Sequence, residues 1–168
     1  MALNTLNDLF EEQIKDLFNA ENQLLKALPK MAKASTDAML RQAFETHLEQ
    51  TREHVERLKE VAEMCEFKPT GKKCAAMEGL VKEGAEAIEE DAEDTIRDVA
   101  LIVAAQRVEH YEIAAYGNAV VIAQKLGLDK QAIDLLKSTL DDEEKADMLL
   151  TKVCQKSVFP SISQTVDA

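Results

Sequence analysis

Apolar residues recur every three or four positions along four stretches of the chain, each about 28 to 32 residues long. This spacing puts the apolar side chains on one face of an α-helix, and helices of that length are far longer than the average in globular proteins. Turn-forming residues are scarce, since the 168 residues include five glycines and three prolines. The pattern therefore predicts an all-α protein built from long amphipathic helices.

Capping residues and chain breaks predict the ends of these helices. Thr5 and Asp8 have the spacing of a capping box at the start of the first helix. Pro29 lacks a backbone N–H, so it should kink or end that helix. Gly127 is the expected stop of the third long helix. The four long helices are predicted at about residues 5–34, 37–65, 95–126 and 129–156, with a shorter helix at about 75–90.

Short turns join the first long helix to the second, and the third to the fourth, which predicts two antiparallel hairpins. The shorter helix lies in the longer connection between the hairpins. A single long crossover is what ferritin-like bundles use, and it also fits some plain bundles. We expect one domain, residues 1–168: an up-and-down four-helix bundle over about 5–157, followed by a flexible tail over 158–168.

The acidic charge limits the partners of the protein. There are 20 lysines and arginines against 32 acids, a net charge of −12, which repels the phosphates of nucleic acids. No apolar run approaches the roughly 18 residues of a membrane span, and residues 1–20 lack the apolar segment of a signal peptide. Three cysteines without a metal-ligand spacing suit reduced thiols. We therefore expect a cytoplasmic protein that binds neither nucleic acid nor a membrane.

Polar residues in phase with the apolar stripes are the candidates for function, because a buried ionisable group is costly unless it is paired or binds a metal. In the first helix the inward stripe contains Glu21. In the second it contains His47, Thr51 and His54, with Gln50 at its edge. A single histidine on such a stripe is more often a hydrogen-bonded core residue than a ligand. Two near the middle of one helix favour a site.

The second hairpin has a matching set of acids. Glu109 and Glu112 lie three residues apart and therefore share a face of the third long helix. On the fourth long helix, Glu143 and Asp147 fall on the inward stripe, while the acids around them fit a solvated surface. The pair formed by Gln50 and His54 also has the spacing of the pair formed by Glu143 and Asp147.

Together these positions predict a dinuclear metal site in the bundle core. Such sites take a carboxylate from each of two helices and a carboxylate with a second ligand one turn along from each of the other two. Mainly oxygen ligands with some imidazole suit iron or manganese. The predicted ligands are Glu21, Gln50, His54, Glu109, Glu112, Glu143 and Asp147, with His47 as a further ligand or a supporting residue. Two features depart from well-known di-iron bundles: Gln50 replaces a carboxylate, and neither helix has the Glu-x-x-His spacing.

Four blocks of the sequence resemble the YciF/YciE family of bacterial ferritin-like proteins. They are residues 20–24, 47–51, 74–80 and 108–117, and they occur in order with similar spacing. The resemblance covers about residues 5–153. It implies a ferritin-like bundle with an extra helix, a homodimer, a link to the bacterial stress response and a dimetal centre. Carried over by position, its acids are Glu21, Glu109, Glu112, Glu143 and Asp147, while the family commonly has Glu at the position of Gln50.

Two functions are consistent with these residues and with the resemblance. The leading hypothesis is a bacterial stress-response protein whose bundle core binds two iron or manganese ions, with peroxide or dioxygen as reactants and no assigned enzymatic activity. The alternative is a metal-free scaffold, in which the inward acids form hydrogen bonds with His47, Thr51 and His54. Surface apolar residues of the crossover helix, Met77, Leu80, Val81 and Ile88, are a candidate dimer contact or a cover for the bundle.

Overall fold

The computed structural model describes residues 3–162, and all of its regular structure is helical. The helices are α1 (Leu6–Ala34), α2 (Ala38–Met64), α3 (Ala75–Glu89), α4 (Asp94–Leu126), α5 (Lys130–Val153) and a short α6 (Phe159–Ser161), with a π-helical turn over Cys154–Val158 between the last two. The prediction of an all-α chain with four long helices and one shorter helix is confirmed.

The capping residues define the helix ends as predicted. The backbone N–H of Asp8 donates to Thr5 Oγ1 at 3.1 Å, and that of Thr5 donates to Asp8 Oδ2 at 2.8 Å, which completes the capping box of α1. Asp37 caps α2 by accepting from the N–H of Leu40 at 2.9 Å. Gly127 ends α4 in the left-handed conformation, with φ 67°, which a glycine adopts at little cost.

One predicted helix end is wrong and one is confirmed. α1 continues through Pro29 to Ala34, the predicted end of the first helix. The Pro29 side chain is on the exposed face, where water can bond the carbonyl group that the missing N–H would have served. The regular part of α5 ends at Val153, before the predicted position, and the chain continues through the π-helical turn.

The four long helices form a bundle with each helix packed against two others. α1 packs on α2 and α4, and α5 packs on α2 and α4, so the order around the bundle is α1, α2, α5, α4. The crossover helix α3 lies on the outside, against α1 and α4. This is the up-and-down ferritin-like arrangement expected from the two hairpins.

The core consists of two apolar clusters at different heights in the bundle. One contains Leu24, Leu28 and Phe44, and the other contains Phe10, Ile14 and Leu58. Glu21 lies between them, because it follows Leu17 of one cluster and precedes Leu24 of the other on the same face of α1. We call the level of Glu21 the polar layer and define it as the six buried residues Glu21, His47, His54, Glu109, Glu112 and Glu143.

The C-terminal end of the bundle extends slightly beyond the predicted boundary. Val158, where the flexible tail was expected to begin, is 1% exposed and packs in the core. The tail prediction for residues 163–168 falls outside the described residues. Cys65, Cys74 and Cys154 are free thiols among the described residues. No helix within residues 3–162 has the length and hydropathy needed to cross a membrane.

Candidate metal centre

The polar layer brings ligands from all four long helices to one place in the core. α1 supplies Glu21, α4 supplies Glu109 and Glu112, and α5 supplies Glu143. α2 supplies both histidines, which are two turns apart and therefore on the same face. The four glutamates and His54 are at most 2% exposed, and His47 is 5% exposed. The periodicity of the sequence therefore placed these six residues inside correctly.

The six residues form two groups that share one member. In the first, the His47 set, one atom from each of His47, Glu109, Glu112 and Glu143 lies within 4.8 Å of all the others. The second, the His54 set, joins Glu21, His54 and Glu143 under the same distance limit. Glu143 belongs to both sets, so its carboxylate is shared between the two groups.

The distances within each set match those between ligands of one metal ion. His47 Nε2 is 3.5 Å from Glu109 Oε2 and 3.4 Å from Glu143 Oε2. His54 Nδ1 is 3.4 Å from Glu21 Oε1 and 3.0 Å from Glu143 Oε1. Two ligand atoms about 2.1 Å from an ion and at right angles to each other are about 3 Å apart. The two oxygens of Glu143 thus face different histidines.

Most of the candidate ligand atoms lack a hydrogen bond within the described residues, although His54 Nδ1 lies 3.0 Å from Glu143 Oε1. Within residues 3–162, these buried atoms have no hydrogen-bond partner: Glu21 Oε2, His47 Nε2, His54 Nδ1, Glu109 Oε2, and both carboxylate oxygens of Glu112 and Glu143. Buried polar groups are normally satisfied, because leaving one unpaired costs about 1–3 kcal/mol. Their convergence is the expected signature of a cation site.

Burial and mutual repulsion change the acidity of these residues. Burial, followed by the charge of nearby glutamates, raises the pKa values of Glu109 and Glu112 well above the ordinary value. Burial also raises the pKa of Glu21. For His54, burial lowers the pKa, but contact with Glu143 and Glu21 outweighs it and raises the pKa to about 10. A cation would replace these protons, because metal ligands bind in their deprotonated form.

Each histidine is oriented by a contact on its outer nitrogen, the ring nitrogen that faces away from the glutamates of the polar layer; the other ring nitrogen is its inner nitrogen. His47 Nδ1 lies 3.4 Å from Gln50 Oε1, and His54 Nε2 lies 3.4 Å from Asp142 Oδ2. Since an amide or carboxylate oxygen only accepts, each contact keeps a proton on the outer nitrogen and leaves the inner nitrogen free to bind a metal. Arg57 holds Asp142 in place through a 2.7 Å ion pair.

Two further contacts fix the layer. The hydroxyl of Tyr116 donates to Glu21 Oε1 at 2.5 Å and is itself fully buried. Thr51 donates to the backbone carbonyl of His47 at 2.9 Å, so its hydroxyl is satisfied within α2. Tyr116 and Thr51 thus support the layer, and Thr51 does not form the hydrogen bond to the inward acids that the scaffold hypothesis expects.

Two predicted ligands lie beside the centre. Gln50 is half-buried and reaches the centre only through His47. Asp147 lies at the edge of the bundle, where it accepts from Gln106 Nε2 at 2.9 Å and lies 3.5 Å from His110. Neither residue is in the two groups of potential ligands within residues 3–162.

The supporting residues Asp142 and Arg57 were not predicted to hold the ligands. Asp142 directly precedes Glu143 but lies off the inward stripe, so helical phase alone gives no signal for it. Tyr116 is in phase with Glu109 and Glu112, and its hydroxyl group makes it a candidate partner for a buried acid. That combination was the available clue.

The donor set fits a dimetal carboxylate centre. The well-known di-iron bundles use four glutamates and two histidines, with one histidine from each of two helices. This chain has the same inventory, but both histidines come from α2 and both paired glutamates from α4. The sequence lacks Glu-x-x-His because the same six residue types are distributed differently over the four helices.

Comparison with known proteins supports the fold and the family. The chain is 44% identical to the protein YciF of Escherichia coli over 159 residues, which covers 94% of this chain and 95% of YciF. It superposes on the crystal structure of that stress protein with a TM-score of 0.90 and 42% identity, over 95% of this chain and 99% of the other.

Two other solved structures are similar. YcfI of Rhodopseudomonas palustris matches with a TM-score of 0.86 and 40% identity, over 90% of this chain and 96% of that one. A two-domain protein of Anabaena variabilis, with DJ-1/ThiJ/PfpI-like and ferritin-like domains, matches with a TM-score of 0.62 and 15% identity, over 96% of this chain and 40% of that one. The last match shows the ferritin-like fold alone.

A family defined as a domain of unknown function, DUF892, matches residues 5–161, which is nearly the whole bundle. The resemblance to YciF-like proteins that the sequence blocks indicated is thus confirmed. This chain belongs to the DUF892 family.

Proposed function

We propose that this protein is a bacterial stress-response protein that binds two iron or manganese ions in the polar layer. One observation carries the proposal: buried ligand atoms from four helices converge, and most have no hydrogen-bond partner among the described residues. A purely structural polar layer would satisfy its own donors and acceptors. The similarity to the stress protein YciF supports the physiological role.

Charge balance also favours two divalent ions. The layer contains the carboxylates of Glu21, Glu109, Glu112 and Glu143, all buried. Four buried negative charges repel one another strongly in a medium of low dielectric constant, whereas two divalent cations neutralise them. Oxygen-rich sites with two imidazoles suit iron and manganese better than the softer metals that prefer thiolates.

Each residue has a distinct role in this proposal. Glu143, which belongs to both sets, would be shared by the two ions, while His47 and His54 would each hold one of them. Tyr116 holds Glu21 through its hydroxyl, and Asp142 holds His54. With redox-active ions bound, the centre would supply one electron from each ion to hydrogen peroxide, which takes up two protons and leaves as two molecules of water.

Metal analysis of the purified protein tests the proposal. We expect bound iron or manganese in protein grown without chelator, and a higher melting temperature when Fe(II) or Mn(II) is added to the metal-free protein. Glu143→Gln should lose most of the bound metal, because the bridging carboxylate is removed. The matched control is Glu144→Gln, the next residue along α5, which is exposed.

The metal-free scaffold remains the competing function, because raised pKa values allow Glu109 and Glu112 to stay protonated without a metal. Glu112→Gln separates the two hypotheses. If the layer binds metal, this variant loses binding. If the layer is a scaffold, wild-type protein contains no metal and the variant keeps or gains stability. Wild-type protein that shows neither bound metal nor a thermal shift contradicts the metal centre.

We also propose that the protein is cytoplasmic and forms a homodimer through α3. Leu80, Val81 and Ile88 line an apolar groove of about 270 Å³ between α3, α1 and α4. Met77, which the sequence grouped with them, is fully buried in the monomer and cannot contribute. Light scattering should show a dimer that Ala85→Glu, at the exposed edge of the groove, converts to a monomer.

A further inference from the structure

A small pocket connects the polar layer to the protein surface. It lies between α2, α4 and α5, has a volume of about 100 Å³, and its lining includes Thr46, Gln50, Lys145 and Leu149 together with two ligands of the layer, His47 and Glu109. Thr46, Lys145 and Leu149 are exposed, so this side opens to solvent. We call it the Gln50 pocket.

The pocket reaches atoms that are free to bind something. His47 and Glu109 are 5% and 2% exposed, and their Nε2 and Oε2 atoms lack hydrogen-bond partners in the described part of the chain. Gln50 occupies the outer nitrogen of His47, so the ring presents its inner nitrogen to the layer. An ion held by the His47 set would therefore lie at the inner end of the pocket.

The His54 set is closed by comparison. Glu21, His54 and Glu143 have no exposed surface. Tyr116 covers Glu21 with a 2.5 Å hydrogen bond, and Asp142, paired with Arg57, covers the outer edge of His54. None of these three ligands lines the Gln50 pocket. The two halves of the centre therefore differ in their access to solvent.

The volume of the pocket limits what can enter. A water molecule has a share of about 30 Å³ in the liquid, so about 100 Å³ holds on the order of three of them. Sites for organic ligands of drug size are about 300 Å³ or more. A molecule with two or three non-hydrogen atoms fits, and a sugar, nucleotide or amino acid does not.

We propose that the His47 half is the open half of the centre and binds a small oxygen-donor ligand, hydrogen peroxide or dioxygen, which arrives through the Gln50 pocket. This inference rests on the proposed metal centre and adds to it the size class and the route of the ligand. Ala146, which lines the pocket and is half-buried, controls the width of this route.

Azide binding to the Co(II)-loaded protein tests the route without any measurement of turnover. Azide has three non-hydrogen atoms, and its binding changes the visible spectrum of Co(II). Ala146→Leu narrows the pocket, so we expect azide binding to slow at least about tenfold while the Co(II) content stays that of the wild type. Leu149→Ala shortens an exposed side chain of the pocket lining and should speed azide binding.

Ala27→Leu is the matched control, since the same substitution then falls in the apolar groove beside α3, away from the centre. Its rate of azide binding should stay within about twofold of the wild type. Imidazole, which is larger than azide, should leave the wild-type spectrum unchanged. Anaerobic Fe(II)-loaded protein mixed with peroxide or with dioxygen identifies the physiological ligand, and Ala146→Leu should slow whichever reacts.

The outcomes separate the two proposals. If the wild type binds no Co(II), the metal centre and the route are both wrong. If Co(II) binds and azide binds as fast in Ala146→Leu as in the wild type, only the route is wrong. If Ala146→Leu does not fold, Leu149→Ala decides, and azide binding no faster than in the wild type overturns the route. Imidazole binding as strong as that of azide overturns the size limit.

Discussion

Two buried carboxylates on α4 have opposite surroundings. Asp98 is 1% exposed and accepts three hydrogen bonds, from Thr36 N at 2.9 Å, Thr36 Oγ1 at 2.6 Å and Asp37 N at 2.8 Å. Glu112 has no exposed surface, and neither of its oxygens has a partner within the described residues. Burial of an acid is therefore no mark of a binding site by itself. A buried carboxylate indicates a binding site when its oxygens have no hydrogen-bond partner.

The position of Asp98 explains its full set of partners. It lies near the start of α4 and faces the connection between α1 and α2, whose backbone N–H groups would otherwise be unpaired at the start of α2. Asp98 thus joins the two hairpins structurally. The polar layer also joins them, but most of its buried oxygen and nitrogen atoms have no hydrogen-bond partner within the described residues.

Removal of Asp98 should have the largest effect on stability. Asp98→Ala leaves three donors without their acceptor. We therefore expect the free energy of unfolding, measured with urea, to fall by about 3 kcal/mol. The loss should be equal in metal-free and metal-loaded protein, because Asp98 is outside the layer. Glu93→Ala, an exposed acid without a capping hydrogen bond, is the control and should cost little.

Metal should stabilise the layer independently of Asp98. With free metal at about a hundred times Kd, one site raises the free energy of unfolding by about 2.7 kcal/mol. We expect this gain in both the wild type and Asp98→Ala, measured by thermal unfolding. A gain that disappears in Asp98→Ala would show that Asp98 and the layer act together, so that the two carboxylates do not have separate roles.

The metal-free protein should lose stability as the pH rises. Glu21, Glu109, Glu112 and His54 have folded pKa values above their ordinary values, so the folded state holds more protons than the unfolded state. The stability that these four groups contribute is then greatest at low pH, and the His54 contribution is lost between about pH 6.5 and 10. Each proton contributes a slope of about 1.4 kcal/mol per pH unit.

Metal-loaded protein should not show this decline, because the cation has already displaced the protons. The difference in melting temperature between loaded and metal-free protein should therefore grow from pH 6.5 to pH 9. Metal-free stability that is flat or rising over this range would contradict the predicted direction of the pKa shifts.

Glu112→Gln should change the free energy of unfolding least, and it should raise this free energy where Asp98→Ala lowers it. In the metal-free protein at pH 8, folding must protonate Glu112 or bury its charge, and glutamine avoids both costs. We expect the free energy of unfolding, measured with urea, to rise by about 1 kcal/mol. A substantial loss in Glu112→Gln would mean that Glu112 has a structural partner after all.

The sequence was sufficient to place the acids but not to choose among neighbouring polar residues. A repeat of 3.6 residues fixes the face of a helix, so Glu21, Glu109, Glu112 and Glu143 were correctly predicted to be buried. Asp98 is in phase with Leu101 and Ile102, so the same argument could have found it.

Helical periodicity does not show how deeply a side chain is buried or which residues of a neighbouring helix it contacts, because both depend on how the helices pack. Gln50 and His47 share one side of α2, yet only His47 reaches the layer, because the neighbouring α5 leaves Gln50 at the pocket mouth. Asp142 reaches His54 from a position outside the inward stripe. Such contacts depend on how far apart two helices lie, which no single helix encodes.

The division of ligands between the hairpins has a consequence for folding. The α1–α2 hairpin carries Glu21, His47 and His54, and the α4–α5 hairpin carries the remaining three ligands, with both sets drawing on both hairpins. Neither hairpin alone can assemble a complete set. In the proposed metal-bound state, an ion would cross-link distant segments of the chain, so slow metal release and slow separation of the hairpins should be the same kinetic event.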